Sequence, residues 1–211
     1  LLILFVGTIS ASEIGGISEL TRNGEITRVD SSEALTAELN SGIFSYDDVR
    51  TGKGRLAIQF LDDSVVKLTE HSKLIIDEYI FDPDPNKSKM ALNMASGTAR
   101  FITGKLGRIN KQNISIKTPT ATIGIRGTDF TTTVDELGRS LVILLPDEDG
   151  TSSGEITVTT ASGVEILNEP FQATMVSAWE TPPTPPVTLA NMTLGLIDNM
   201  LIVSRPQEVQ R

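Results

Sequence analysis

Apolar and polar residues alternate in short bursts along most of the chain, and clusters of Gly, Asn, Asp and Ser separate the bursts. Leu56, Ile58 and Phe60 alternate with Arg55, Ala57 and Gln59, and Val65 to Leu68 follows an Asp62-Asp63-Ser64 turn. Ile156 and Val158 alternate within Glu155 to Thr160, and Val164 to Leu167 returns after Ala161-Ser162-Gly163. This period of two is the signature of half-buried strands. Ile14 to Leu20 and Glu25 to Asp30 flank Thr21-Arg22-Asn23-Gly24, whose Asn-Gly pair signals a hairpin. Lys73 to Phe81, Lys89 to Ala95, Ala99 to Thr103, Asn113 to Thr118 and Leu141 to Leu145 add further strands, with a turn expected at Ser96-Gly97. Short strands at such spacing predict an all-β fold, an antiparallel β-sandwich or roll of many short strands. The absence of a repeat of fixed length counts against a solenoid.

The pattern is sharpest over Thr118–Phe130, TPTATIGIRGTDF. Pro119 lacks a backbone donor and biases Thr118 towards extended geometry, so a strand begins just after it. Ala121, Ile123 and Ile125 share one face, and Thr122, Gly124 and Arg126 the other. Phe130, Thr132 and Val134 then have the wrong parity to rejoin the buried face. A break of register is therefore required, and a β-bulge at Gly127-Thr128 is the expected device.

The two ends depart from this pattern. Leu1 to Val6 is a continuous apolar run, followed by small Ser10, Ala11 and Ser12, which reads as the remainder of a truncated signal peptide over residues 1–12. It is too short to be a membrane span. The β-domain then covers residues 13–180. Thr181-Pro182-Pro183-Thr184-Pro185-Pro186 predicts a stiff proline-rich linker over 181–188. Beyond it Leu189, Met192, Leu196, Met200 and Val203 recur at helical spacing, which predicts a C-terminal amphipathic helix over 189–204. Its apolar stripe suits docking on the β-domain, with a partner helix or membrane surface as the alternatives. The linker implies that 187–211 are dispensable for folding.

Composition narrows the function. The net charge of −9 and the lack of a clustered basic surface argue against nucleic acid. Lys105, Arg108 and Lys111 punctuate a loop. No cysteine is present, which removes thiolate chemistry and disulfides. The single histidine, His71, sits at a turn, and H-E-x-x-H does not occur. The Asp47-Asp48 and Asp62-Asp63 pairs have the residue types a glycosidase needs, but turn chemistry accounts for them more simply. Asp82, Asp84 and Asn86 match the start of a calcium loop. Lys87 and Asn93 then stand where glycine and glutamate belong. No enzyme activity, metal or cofactor is expected. Arg126, on its small-residue face, is either an anion or partner contact or one half of a charge pair.

Several stretches together carry a family resemblance. Thr118-Pro119 followed by Ile125-Arg126-Gly127-Thr128-Asp129-Phe130 resembles the end of FecR-type domains. Asp48-Val49-Arg50-Thr51-Gly52 resembles that family's element ending in Thr-Gly, and Phe60-Leu61-Asp62-Asp63-Ser64 its F-x-D-G-S element. Gly97 with Phe101 is similar to its G-x-x-x-F element. The resemblance runs from Gly16 to Leu145 and marks Thr118, Pro119, Gly127, Thr128 and Phe130 as its structural motif. It implies a protein-protein signalling module outside the cytoplasm, which in the family relays receptor occupancy to a sigma factor. With the signal-like run so close to the β-domain, the expectation is a secreted, non-catalytic binding or scaffold module. It would be periplasmic or extracellular, with no membrane span in the mature chain, and would engage an envelope protein or surface polymer. The alternative is the extracytoplasmic part of a FecR-like signal-transducing regulator, and a carbohydrate-active hydrolase stands behind both.

Overall fold

A computed structural model describes residues 12–31, 33–109, 113–147 and 149–196. The signal-peptide segment and most of the expected C-terminal helix lie outside the described residues; 194–196 are helical. In chain order the strands are β1 (Gly15–Thr21), β2 (Gly24–Thr27), β3 (Ala34–Thr36), β4 (Gly42–Ile43), β5 (Asp48–Thr51), β6 (Arg55–Phe60), β7 (Val65–Leu68), β8 (Lys73–Ile80) and β9 (Lys89–Ile102). After the short helix α1 (Lys105–Ile109) come β10 (Ile114–Lys117), β11 (Thr122–Arg126), β12 (Asp129–Val134), β13 (Ser140–Leu144), β14 (Glu155–Thr159), β15 (Val164–Leu167), β16 (Gln172–Val176) and β17 (Val187–Thr188). The fold is all-β, as the alternation predicts.

The strands form two facing layers. The first has the order β4-β1-β6-β7-β9-β12-β13-β16-β17. The second has the order β3-β2-β5-β8-β9-β10-β11-β14-β15. Strand β9 belongs to both. Its 14 residues pair with β8 and β10 up to Ser96, then with β7 and β12 from Gly97 onward. Where the sequence predicts a turn at Ser96-Gly97, the strand instead changes layer without stopping. Gly97 has φ 86°, and a Cβ there would lie 2.5 Å from the Ser72 Cα, so only glycine passes. The crossing is pinned by hydroxyls. Ser72 Oγ accepts from Thr98 N–H at 3.0 Å, and Thr51 Oγ1 accepts from Ser72 N–H at 2.9 Å.

The Asn-Gly cue near Asn23 is overturned by the same logic. β1 pairs with β6 and β4, while β2 pairs with β5 and β3, so the segment between them crosses layers rather than closing a hairpin. The pairings are antiparallel except β9 with β10, whose connection runs through α1. Between the layers lies one continuous apolar core, with Leu56, Ile58, Phe101 and Phe130 from one side and Val49, Leu74, Ile123 and Ile156 from the other.

The proline-rich segment is not a free spacer. Thr184 N–H donates to Met175 C=O at 2.9 Å, Thr174 Oγ1 donates to Thr184 C=O at 2.6 Å, and Val187–Thr188 pairs as β17 on β16. Past it, Leu189, Met192 and Leu194 pack with Phe171 and Leu141 over Ile143, Leu145 and Ala173. Residues beyond 180 therefore complete the outer face of the first layer. Proline is tolerated here because this is an edge, where missing N–H donors leave no ladder bond unmade.

Candidate functional site

The parity break of Thr118–Phe130 is a corner between layers. β11 ends at Arg126 in the second layer and β12 begins at Asp129 in the first, with Gly127 at φ 59° between them. A change of sheet replaces the expected bulge. Ile123, Ile125 and Phe130 all face the common core, and Phe130 stacks on Phe101 with centroids 4.9 Å apart. Burial of such a ring contributes about 1.5 to 3 kcal/mol. Thr128 is buried, and its N–H donates to Thr103 Oγ1 at 3.2 Å, while the Thr103 hydroxyl donates to the Thr128 carbonyl. Thr118 and Pro119 form the turn before β11. Thr118 Oγ1 accepts from Ala121 N–H at 3.0 Å and from Ser140 Oγ at 2.8 Å.

The other motif residues brace this corner. Asp62, fully buried, accepts from Ser64 Oγ at 2.7 Å, from Tyr79 Oη at 3.1 Å and from Leu106 N–H at 3.2 Å. Gly104 N–H donates to Ser64 Oγ at 2.9 Å and Lys105 N–H to the Asp62 carbonyl at 2.7 Å. Asp62 thus caps α1, whose Gly107 carbonyl approaches Gly127. Burial, with the Asp62 charge beside it, pushes the Tyr79 phenol far above its ordinary range. Lys105 begins α1 and pairs with Asp63 at 2.7 Å, rather than standing in a loop. The helix is illegible in the sequence because its 5 residues, with only Leu106 and Ile109 apolar, are too few to establish a period.

A polar cleft of about 730 Å³ opens at the corner. Arg100, Thr103, Gly127, Thr128, Asp129 and Ser153 line it, together with Leu194. Arg100 Nη2 and Asp129 Oδ2 are 2.6 Å apart, and Nε donates to Oδ1 at 3.1 Å, a two-point pair on neighbouring strands. Ser153 Oγ donates to Leu145 C=O at 2.6 Å and accepts from Asp129 N–H at 3.0 Å. The hydroxyl is engaged with backbone, so the cleft offers a held ion pair and oriented hydrogen-bonding groups rather than an activated nucleophile.

The remaining candidates lie elsewhere. Arg126 is more than half exposed and pairs with Glu155 at 3.1 Å on the adjoining strand, outside the residues lining the cleft. Asp82 and Asp84 accept from the backbone N–H two residues ahead, at 2.8 and 3.1 Å, the second bond reaching Asn86. These carboxylates shape their own loop, and no cluster of three or more metal-binding side chains occurs among the described residues. His71 occupies a turn at φ 54°. Asp47 is buried against Arg28, whose guanidinium lies 4.5 Å from the Phe44 ring centroid. Burial raises the Asp47 carboxyl above its ordinary value, outweighing the Phe44 N–H and the Arg28 charge. Neighbouring Asp48 shows the opposite balance: burial raises it, but Arg50 and Lys73 together draw it below the ordinary value. Adjacent aspartates thus alternate between core and surface, as strand geometry requires.

What the fold and corner define is a two-layered β-domain with a polar cleft where the chain changes layers. Residues 47–147 match the model of the FecR family, described as FecR protein. Crystal structures of a "putative anti-sigma factor" from Parabacteroides distasonis are also similar in part, at 17% and 16% identity and TM-scores of 0.48 and 0.47. Each alignment covers 61% of this chain and 54% of the other, so the chain spans about half the length of the solved structures it matches. No curated protein matches the sequence.

Proposed function

We propose that this chain is the extracytoplasmic part of a FecR-like signal-transducing regulator, which acts by binding another protein and catalyses no reaction. The observation that carries this reading is the FecR match over residues 47–147, which includes the corner and much of the cleft wall. That match favours signalling over the stand-alone scaffold expected from the sequence. The cleft suits protein recognition: the Arg100–Asp129 pair can exchange part of its mutual bonding for a partner's carboxylate or amide without moving backbone. Among the described residues no helix is long and apolar enough to cross a membrane. Placement in the periplasm belongs to the proposal.

The test is transcriptional. Deletion of the coding sequence, and separately Arg100→Glu in the full-length protein, is expected to change a sigma-factor-dependent set of transcripts at least several-fold in the native cell. An unchanged transcript profile in both strains, with the variant present at normal abundance, overturns the regulator reading.

A further inference from the structure

The charges of this chain are unevenly divided. Residues 1–139 hold 16 Lys and Arg against 18 Asp and Glu, whereas residues 140–204 hold none against 8. The described part of that acidic stretch builds β13 to β17, at one end of both layers. At this end β15 is the outermost strand of the second layer, and among the described residues it pairs only with β14.

Its geometry is that of an open edge. Thr160 N–H donates to Gly163 C=O at 2.9 Å, which sets the phase of the antiparallel ladder. Glu165 and Leu167 then bond to β14, while the N–H and C=O of Val164 and Ile166 face outward. The same two residues expose 55% and 48% of their surface. Natural edges are blunted by lysine, proline, a bulge or brevity. β4 and β17 have 2 residues each and β3 has 3, and prolines precede β17. β15 has 4 regular residues, Val-Glu-Ile-Leu, with no lysine, proline or bulge; its one charge is Glu165, on the face of buried Leu167, which disfavours another acidic edge and leaves a basic one favoured.

We propose that β15 is a docking edge for an extended basic segment of a partner protein, one that alternates apolar residues with Lys or Arg. The segment adds to β14–β15 as a further strand. Its backbone pairs with Val164 and Ile166, its apolar side chains lie beside theirs on the outer face, and its cations meet Glu165. A second copy of this chain fits poorly: pairing centred on Glu165 sets that carboxylate opposite itself, and both surfaces are acidic. The site lies beyond residue 147, outside the FecR match and apart from the cleft, so it stands or falls independently of the regulator reading.

The test is an NMR titration of the full chain with the synthetic peptide Thr-Val-Lys-Val-Lys-Val-Thr. Shift changes and slowed amide exchange are expected at Val164 and Ile166, and Glu165→Lys and Ile166→Lys should each weaken binding at least tenfold. Equal affinity for the same peptide with proline in place of the central valine would reduce the effect to attraction of a polycation and overturn the proposal. So would shifts confined to the Arg100–Asp129 cleft, or no binding. Concentration-dependent self-association of the chain abolished by Ile166→Lys would assign the edge to a second copy and equally overturn it.

Discussion

Gly97 and Gly127 both hold positive φ, at 86° and 59°, yet alanine should be tolerated very differently at the two. A Cβ at Gly127 would meet only the Gly107 carbonyl oxygen at 3.4 Å, so the penalty is the left-handed backbone alone, about 1 kcal/mol. A Cβ at Gly97 would meet backbone of Ser72 at 2.5 Å, and displacing a strand adds about 1 to 3 kcal/mol to that backbone term. Urea unfolding should therefore show Gly127→Ala mildly destabilised and Gly97→Ala destabilised by about 2 to 4 kcal/mol. Equal losses would mean that the crossing at Gly97 relaxes freely. Sequence alone marks both glycines as special. It cannot rank them, because the ranking depends on a backbone clash with a neighbour 25 residues away for one, and on a mere van der Waals contact with the Gly107 carbonyl for the other.

At the level of elements, β9 and the segment after Glu180 depart most from their sequence pattern, and for related reasons. A local pattern reads Ser96-Gly97 as a turn and the prolines as a spacer, whereas strand partners distant in the chain convert one into a crossing and the other into an edge. A variant ending at Glu180 would lose β17 and uncover Ile143, Leu145 and Ala173. Burial lost from two large aliphatic side chains corresponds to about 3 to 6 kcal/mol if exposure were complete. The variant should melt several degrees lower than the full chain and bind a hydrophobic dye. An unchanged melting temperature would show the segment to be dispensable, as the proline run by itself suggests.

For the whole molecule, acid stability is a sum of carboxylates with opposite signs. Asp48, Asp135 and Asp149 lie below their ordinary value of 3.8, so each stabilises the fold above that value and loses its contribution as pH falls through its folded pKa. For Asp135 and Asp48 burial works against this, but hydrogen bonds prevail; for Asp149 the Thr151 hydroxyl and N–H dominate. Asp47 is raised, so its contribution is fully present below 3.8 and is lost as pH rises through its folded value. Urea midpoints measured from pH 2 to pH 7 should show Asp48→Asn flattening the rise at the acid end. Asp47→Asn should remove a decline that begins above about pH 4. A wild-type slope retained in Asp47→Asn across that upper window would place the carboxylate outside the titration altogether.

The sequence by itself determined that this chain is all-β, that its clearly alternating stretches are strands, and where parity must break, because a period of two is a local property of the backbone and of burial on one face. It also placed a strand start after Pro119 and the parity break at Gly127-Thr128; only the resemblance to FecR-type domains joined Thr118, Pro119, Gly127, Thr128 and Phe130 into one motif. The tertiary structure alone decided what lies across from each strand. It divided β9 between two layers, turned Asn23-Gly24 from a hairpin into a crossing, drew Asp62 onto α1, and brought Arg100 beside Asp129 over a separation of 29 residues. Only in that assembly does β15 become an open acidic edge. Strand pairing joins residues by space rather than by order, and an alternating pattern says which face is buried without saying against what.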